Sequence, residues 1–388
     1  MKKVLWLTSW YPNMDDPFSG DFIKRQAEAV SLFQPVQILF VGKYSPSPLK
    51  ENVKQVNSFT NLKEYLLYYP ASGHDNLFTK GRSFTSYFLK HLQIIRQLHK
   101  KNELPDLVHV QVAWKSGLIA LYLKWKYKIP YVLTEHWSGY YPQAKDSLFR
   151  KSYLERYWTR RIIGKANQLI TVSEALGMQI RQSWMKVPFQ QIPNVVNTRF
   201  FFPEKNKRAE RFRFIHISTL KYPKNPEGIL RAFAALRKTM IDAELVLVGP
   251  VNTGLDKMIR ETGLPESAIR CTGEIPYKNV GIELQHSSVL ILFSHYENMP
   301  CVLLESLCSG IPVIASRVGG IPEVVDETNG ILVKPGDEND LLEAMKTMIS
   351  KESSYDREKI SSRATAQFSY EVVGKEILSV YESVLGNH

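Results

Sequence analysis

Short apolar runs rich in Val, Ile and Leu alternate along this chain with longer stretches whose apolar positions recur every three to four residues. The runs predict buried strands, and the periodic stretches predict amphipathic helices. In the first half, strands are expected at Val4–Trp10, Val36–Val41, Leu107–Val112, Tyr131–Thr134 and Gln168–Val172. Helices are expected between them at Asp21–Leu32, Phe84–Lys100, Gly117–Tyr127 and Leu148–Gly164. The segment Lys43–Asn76 is rich in Pro, Ser and Asn and reads as an irregular, extended insertion.

The alternation restarts near Phe212, in R-F-I-H-I-S, with strands at Glu244–Val248, Ile269–Thr272, Val289–Phe293, Val313–Ser316 and Ile331–Val333. Glu227–Arg237, Asp340–Ile349 and Tyr370–Leu385 read as its helices. Two such series predict an α/β protein with two parallel, doubly wound sheets. The polar linker Ile192–Arg208 separates a first domain, residues 1–200, from a second, 201–369, and leaves a terminal segment, 370–388.

A length of 388 residues suits two domains, each with its own core. Hydrophobic content of 44% and charged content of 23% are those of a soluble globular protein. The opening M-K-K-V-L-W-L-T-S-W imitates a signal peptide, but the apolar run is short, Pro12 ends it and no small-residue cleavage site follows. No apolar stretch approaches the roughly 20 residues that span a bilayer, so a cytoplasmic protein is expected. The three cysteines, Cys271, Cys301 and Cys308, lack metal-ligand spacing, and no metal is expected.

The net charge of +12 is uneven: residues 1–200 carry 28 Lys and Arg against 13 Asp and Glu, and the rest carries 22 against 25. A basic first half suggests an anionic partner: nucleic acid, a membrane surface or a phosphorylated acceptor. Nucleic acid has only charge in its favour, because there is no recognised binding motif and no dense basic tract. Thr79–Lys101 and Phe149–Lys165 interleave aromatic and apolar residues with Lys and Arg at helical spacing. That pattern suits in-plane membrane helices, or core-packed helices with solvated basic faces.

Candidate chemistry concentrates in S-H-Y-E-N-M-P-C-V-L-L-E-S-L-C-S-G-I-P-V-I-A-S-R-V-G-G-I-P-E, from Ser294 to Glu323. Glu297 falls on the loop after a strand and Glu305 about a turn into the next helix, which starts near Pro300. Both should face the crevice at the carboxyl ends of the strands, where open α/β sheets bind ligands. Two acceptor-only carboxylates there suit neutral hydroxyls of a sugar or ribose, and the unpaired N–H groups of the helix suit a phosphate. Taken alone, two glutamates at this spacing mean little and read as an exposed pair on an ordinary helix.

The following G-I-P-V-I-A-S and G-G-I-P-E change that reading. With them, the stretch resembles the retaining glycosyltransferases of family 4, whose signature is E-x7-E followed by a G-x-P-V-I-A strand and a G-G-x-x-E turn. The resemblance covers nearly the whole chain and implies the GT-B fold: two Rossmann-like doubly wound domains facing across a cleft, with Tyr370–Leu385 crossing back onto the first. It implies that Glu305 binds the nucleotide ribose and Glu297 a hydroxyl of the donor sugar, with backbone amides around Asn298, Met299, Pro300 and Cys301 at the sugar or diphosphate.

In the loop Leu220–Pro226, Lys224 falls on the family lysine that holds the diphosphate, where negative charge grows as the glycosidic bond breaks. The family arginine does not carry over. Thr219 stands in its place and Ser218 in place of a glycine, so either Lys221 or Arg317 supplies that charge or the site works with less stabilisation. His136, ending Y-V-L-T-E-H, matches a family histidine near the transferred sugar, where it could bind a hydroxyl, steady the phosphate or orient the acceptor. His109 either packs in the core or lines the acceptor side. Gly20 resembles the family's glycine loop after the first strand, and the Ile275 backbone aligns with the segment that passes the nucleobase.

These residues imply a metal-independent, cofactor-free retaining glycosyltransferase. It would use a UDP- or GDP-sugar as donor and a glycan, possibly lipid-linked, as acceptor in bacterial cell-surface polysaccharide synthesis, at the inner face of the membrane. An epimerase of the same fold and a degenerate sugar-binding scaffold are the alternatives.

Overall fold

The computed structural model describes residues 2–44, 53–70, 77–204, 211–239 and 241–386. It divides into two units, one of Met1–Pro193 with Tyr370–His388 and one of Asn194–Ser369. The first unit runs β1 (Val4–Thr8), α1 (Asp21–Ser31), β2 (Val36–Tyr44), β3 (Val53–Phe59), β4 (Leu62–Pro70), α2 (Leu77–Lys100), β5 (Leu107–Gln111), α3 (Ser116–Tyr127), β6 (Tyr131–Glu135), α4 (Tyr153–Lys165), β7 (Gln168–Thr171), α5 (Glu174–Ser183) and β8 (Gln190–Gln191). The second runs β9 (Phe212–Ile217), α6 (Pro226–Arg237), β10 (Ala243–Val248), α7 (Thr253–Glu261), β11 (Ile269–Gly273), α8 (Tyr277–Gln285), β12 (Val289–Leu292), α9 (Cys301–Cys308), β13 (Val313–Ser316), β14 (Gly330–Val333), α10 (Glu338–Ser350) and α11 (Arg357–Phe368). The last helix, α12 (Tyr370–Gly386), belongs to the first unit.

Among the described residues the first sheet has the strand order β3-β4-β2-β1-β5-β6-β7-β8, parallel except for the antiparallel β3–β4 pair. The second has the order β11-β10-β9-β12-β13-β14 and is parallel throughout. Every residue of β1, β5, β6, β12 and β13 is buried, as expected of parallel strands covered on both faces. The chain order reverses between β1 and β5 in one sheet and between β9 and β12 in the other. Crevices open at the carboxyl ends of strands at such switch points.

Three expectations need correction. Lys43–Asn76 is not irregular where it is described: it supplies β3 and β4, and residues 45–52 and 71–76 of that segment lie outside the described residues. Tyr65, Leu66, Leu67, Tyr68 and Tyr69 bury a strand that the flanking Pro and Ser residues obscure. The expected helix Leu148–Gly164 starts later, at Tyr153, because the Ser152 hydroxyl accepts the Glu155 N–H and caps it there. The boundary lies between Pro193 and Asn194 rather than at 200, since Val196 N–H bonds Phe368 C=O at 2.8 Å and pulls residues 194–200 into the second unit. Part of the anticipated linker, residues 205–208, lies outside the described residues.

Helix α12 packs on α1, with Tyr370 Oη donating to Glu28 Oε2 at 2.8 Å. No helix among the described residues is long and apolar enough to cross a membrane.

Candidate active site

The switch point of the second sheet is framed by the loops after β9 and β12. In the first, His216 donates from Nδ1 to the Ile291 carbonyl at 2.8 Å, so its Nε2 accepts the Ser218 hydroxyl at 2.8 Å, and Ser218 Oγ in turn accepts Leu220 N–H at 2.9 Å. Burial lowers the His216 pKa to about 4 and keeps the ring neutral for this relay. The relay holds Leu220 in the left-handed region (φ 51°), and Asn225, also left-handed, caps α6 through Gly228 N–H. Lys224 stands on the turn so formed.

In the second loop, Glu297 is 9% exposed and meets Lys224 across the switch point, with Nζ to Oε1 at 2.5 Å. Ser294 Oγ donates to the same oxygen at 2.8 Å. The backbone of His295 donates to Pro223 C=O at 2.9 Å, tying the loops a second time. Asn298, Met299 and Pro300 are buried, and Asn194 Nδ2 donates to the Met299 carbonyl at 2.8 Å.

The G-G turn explains itself here. A Cβ on Gly319 (φ 51°) would lie 1.8 Å from the Glu297 carbonyl oxygen, and Gly320 N–H bonds Asn298 C=O at 2.8 Å. Only glycine lets the β13 loop support the Glu297 loop so closely. Helix α9 starts at Cys301, half-buried, after Pro300, and places Glu305, 4% exposed, in its second turn. Cys308 at its end is buried, with its thiol pushed up to about 12.

The structure thus brings Lys224, Glu297, Asn298, Met299, Pro300, Cys301 and Glu305 onto adjoining loops at one switch point. Thr219 is exposed at the end of β9, and Ile275 is half-buried between β11 and α8. Lys221 is exposed on the β9 loop, and Arg317 lines a separate recess with Pro322, Asp326 and Tyr355.

In the first unit, Gly20 (φ 61°) opens α1, where a Cβ would sit 2.5 Å from the Trp10 carbonyl. His136 is 9% exposed, rests against Phe22 and donates from Nε2 to Gln111 Oε1 at 2.8 Å. The Gln111 amide then donates to His109 Nε2 at 3.3 Å. His109 is fully buried: Nε2 also accepts the Thr134 hydroxyl, and Nδ1 donates to Tyr381 Oη, both at 2.6 Å. It is therefore a core residue and not an acceptor contact. Burial lowers both histidines to about 3.

Sequence reasoning missed Ser294, Asn194, Gly319 as a support, and Glu135. Glu135 accepts Ala113 N–H and Tyr140 Oη at 2.8 Å each, and burial raises its pKa to about 7. Its position beside His136 at a strand end was the available signal. Asn194 had none, since its partner lies 105 residues away.

The description "Glycosyl transferases group 1" matches residues 197–367, and "Glycosyltransferase Family 4" matches residues 49–200. The glycosyltransferase TuaC of Bacillus subtilis (strain 168), assigned to teichuronic acid biosynthesis, is 24% identical over 96% of this chain and 93% of its own. Sucrose-phosphate synthase from Thermosynechococcus elongatus superposes with a TM-score of 0.81 at 19% identity, covering 100% of both chains. Anabaena HepE, solved in complex with UDP and glucose, has a TM-score of 0.73 at 15% identity over 99% of this chain and 100% of its own. With two Rossmann-like units and matches spanning both, the chain belongs to the family 4 glycosyltransferases of GT-B fold.

Proposed function

We propose that the protein transfers a sugar, with retention of configuration, from a nucleotide-diphospho-sugar to a glycan carried on a membrane lipid. The observation that carries this reading is the Lys224–Glu297 pair at the second switch point, with buried Glu305 on the adjoining helix. Lys224 and the positive N-terminal end of α9 would neutralise the diphosphate without a divalent ion, and Glu297 would turn to a hydroxyl of the sugar. Glu305 would accept from the ribose hydroxyls.

As the bond from the anomeric carbon to the diphosphate oxygen breaks, the acceptor oxygen bonds that carbon from the same face. The acceptor proton passes to the leaving diphosphate. UDP is the first nucleotide to consider, because HepE of the same fold was solved with it. The acceptor class is supported by the basic first half and by the TuaC relative. The enzyme would work in the cytoplasm, against the inner face of the membrane.

Calorimetric titration with UDP, GDP and ADP tests the reading. One of the three should bind with a Kd of about 1 mM or below, and Glu305→Ala should weaken it about tenfold. If none binds, or Glu305→Ala binds as well as the parent, the donor site is misplaced. Activity unchanged by a chelator is expected, and its loss would overturn the metal-independent step.

A further inference from the structure

Helix α3 is apolar on two faces. Ile119, Ala120 and Leu123 are buried on the side that packs on β1 and β5. Leu118, Leu121, Tyr122 and Trp125, spaced i, i+3, i+4, i+7, form a second stripe pointing away from the sheet. An ordinary surface helix carries polar residues there.

That stripe floors a groove of about 800 Å³, walled by Phe84 and Phe88 of α2 and by Leu154 and Trp158 of α4. Trp125 is 74% and Leu154 66% exposed, so the described residues leave the groove open. Open apolar surface of this extent marks an interaction site. Lys124, Arg161 and Lys165 line the same groove.

A second, polar cavity adjoins the groove. Trp114 lines both. The second cavity, about 460 Å³, lies at the β1–β5 switch point, where Ser9 Oγ donates to the Trp114 carbonyl at 3.2 Å. Its walls carry Trp10 and Trp137, and Lys43, Lys115 and Lys151 outnumber Asp146 and Glu155. Two non-glycine residues on either side of Trp114, Val112 (φ 67°) and Lys115 (φ 68°), have positive φ. For a β-branched residue this is a costly conformation, of a kind found where structure is spent on a site. Ser116 Oγ, bonded to Val112 C=O at 2.9 Å, and Glu135, bonded to Ala113 N–H, hold it.

We propose that the groove binds the hydrocarbon chain of an anionic amphiphile whose polar head sits in the adjoining cavity, past Trp114. This rests on the lipid-linked acceptor reading above and adds where each half of that acceptor goes. Aromatic walls suit a sugar face, the lysines suit a phosphate or carboxylate, and the apolar stripe suits a single aliphatic chain. A second copy of this chain is the weaker occupant, because a two-fold interface would set the basic rim against itself.

The test is calorimetric titration of the full chain with hexyl, octyl and decyl phosphate, each kept below its aggregation concentration, and with inorganic phosphate. Affinity should rise about fourfold per added methylene. Leu154→Glu and Trp125→Ala, both at exposed positions, should flatten that dependence. Lys115→Gln should weaken all three alkyl phosphates by a similar factor and leave the dependence on chain length intact. A chain-length-independent affinity would overturn the proposal. So would a dimer in sedimentation that Leu154→Glu converts to monomer, or binding to anionic phosphatidylglycerol vesicles that decyl phosphate does not compete. Titration of the same variants with UDP, GDP and ADP separates the two readings: a parent that binds none of the three sinks the donor site alone, and a flat alkyl series with a nucleotide bound sinks the groove alone.

Discussion

The two units solve the same topological problem with opposite electrostatics. At the β9–β12 switch point the loops are joined by charge, Lys224 on Glu297, with side chains 23% and 10% exposed. At the β1–β5 switch point burial favours the neutral forms of the ionisable groups beneath the loops, lowering His109 and His136 to about 3 and raising Glu135 to about 7. Charge is kept where a diphosphate would need it. Where an uncharged sugar would stack on Trp10, Trp114 and Trp137, the support is a neutral hydrogen-bonded network and the lysines stand outside it. A shared fold therefore fixes where a site lies, and the loop residues decide what it can hold.

The sharpest way to break the contrast is Lys224→Met. It removes the stabilising charge and leaves the buried Glu297 carboxylate without its cation, beside the Ser294 hydroxyl. Turnover should fall about 10²–10³-fold, the scale seen when one preorganised stabilising group is lost. Donor binding should weaken less than turnover, because the leaving diphosphate gains charge only as the bond breaks. Single-turnover kinetics beside nucleotide titration would separate the two, and equal losses would make Lys224 a binding residue only.

Gly319→Ala attacks the same site through its support. The added Cβ cannot coexist with the Glu297 carbonyl at 1.8 Å, and the backbone at φ 51° adds strain. The Glu297 loop must shift, costing about 3 kcal/mol, or about a hundredfold in nucleotide affinity. The first unit's alkyl phosphate binding should be untouched. If both fall together, the substitution has unfolded the chain rather than moved a loop.

These two residues show how legible the site was. Glu297 and Glu305 could be placed at a strand end and on the following helix because a strongly apolar run precedes them, whereas Lys224 and the roles of all three came from the family resemblance. The reason for the G-G turn was not legible, since it depends on a contact between loops after different strands. Asn194 and the relay through His216 and Ser218 are long-range in the same way. In the fold, the runs that become β1, β12 and β13 are continuous and largely apolar, whereas β4 carries Lys63 and Glu64 near its start. The second apolar stripe of α3 was written in the chain at i, i+3, i+4, i+7. Periodicity alone cannot tell which of two apolar faces is covered.

Glu135→Gln sharpens the other half of the contrast. With a folded pKa near 7 against an ordinary 4.5, the native state keeps a proton that the unfolded chain loses between those values. The Glu135 contribution to stability therefore declines as pH rises from about 4.5 through 7. His109 and His136 act the other way: they stay neutral in the fold while the unfolded chain takes up protons below about 6.5, so their contribution declines as pH falls from 6.5 toward 3. Comparing urea denaturation at pH 5 and pH 7.5, the glutamine variant should gain about 1–3 kcal/mol on the parent between the two. Any fixed cost of misplacing its amide against Trp137 N–H cancels in that difference. A constant offset at both pH values would mean that Glu135 is already ionised in the fold.

The smallest effect is expected from Thr219→Arg, which restores the family charge at the donor site. Thr219 is exposed at the end of β9, beside a loop already anchored through Ser218 and Leu220, so a longer side chain needs no repacking. A solvated guanidinium near a phosphate is worth at most about 1 kcal/mol, or about fivefold in nucleotide affinity. Because that gain is Coulombic and exposed, it should shrink between 20 mM and 500 mM salt on the scale of the Debye length. A salt-sensitive gain would place the diphosphate within reach of position 219. No gain at low salt would put the diphosphate beyond reach of the β9 terminus, leaving the α9 N–H groups and Lys224 as its whole support.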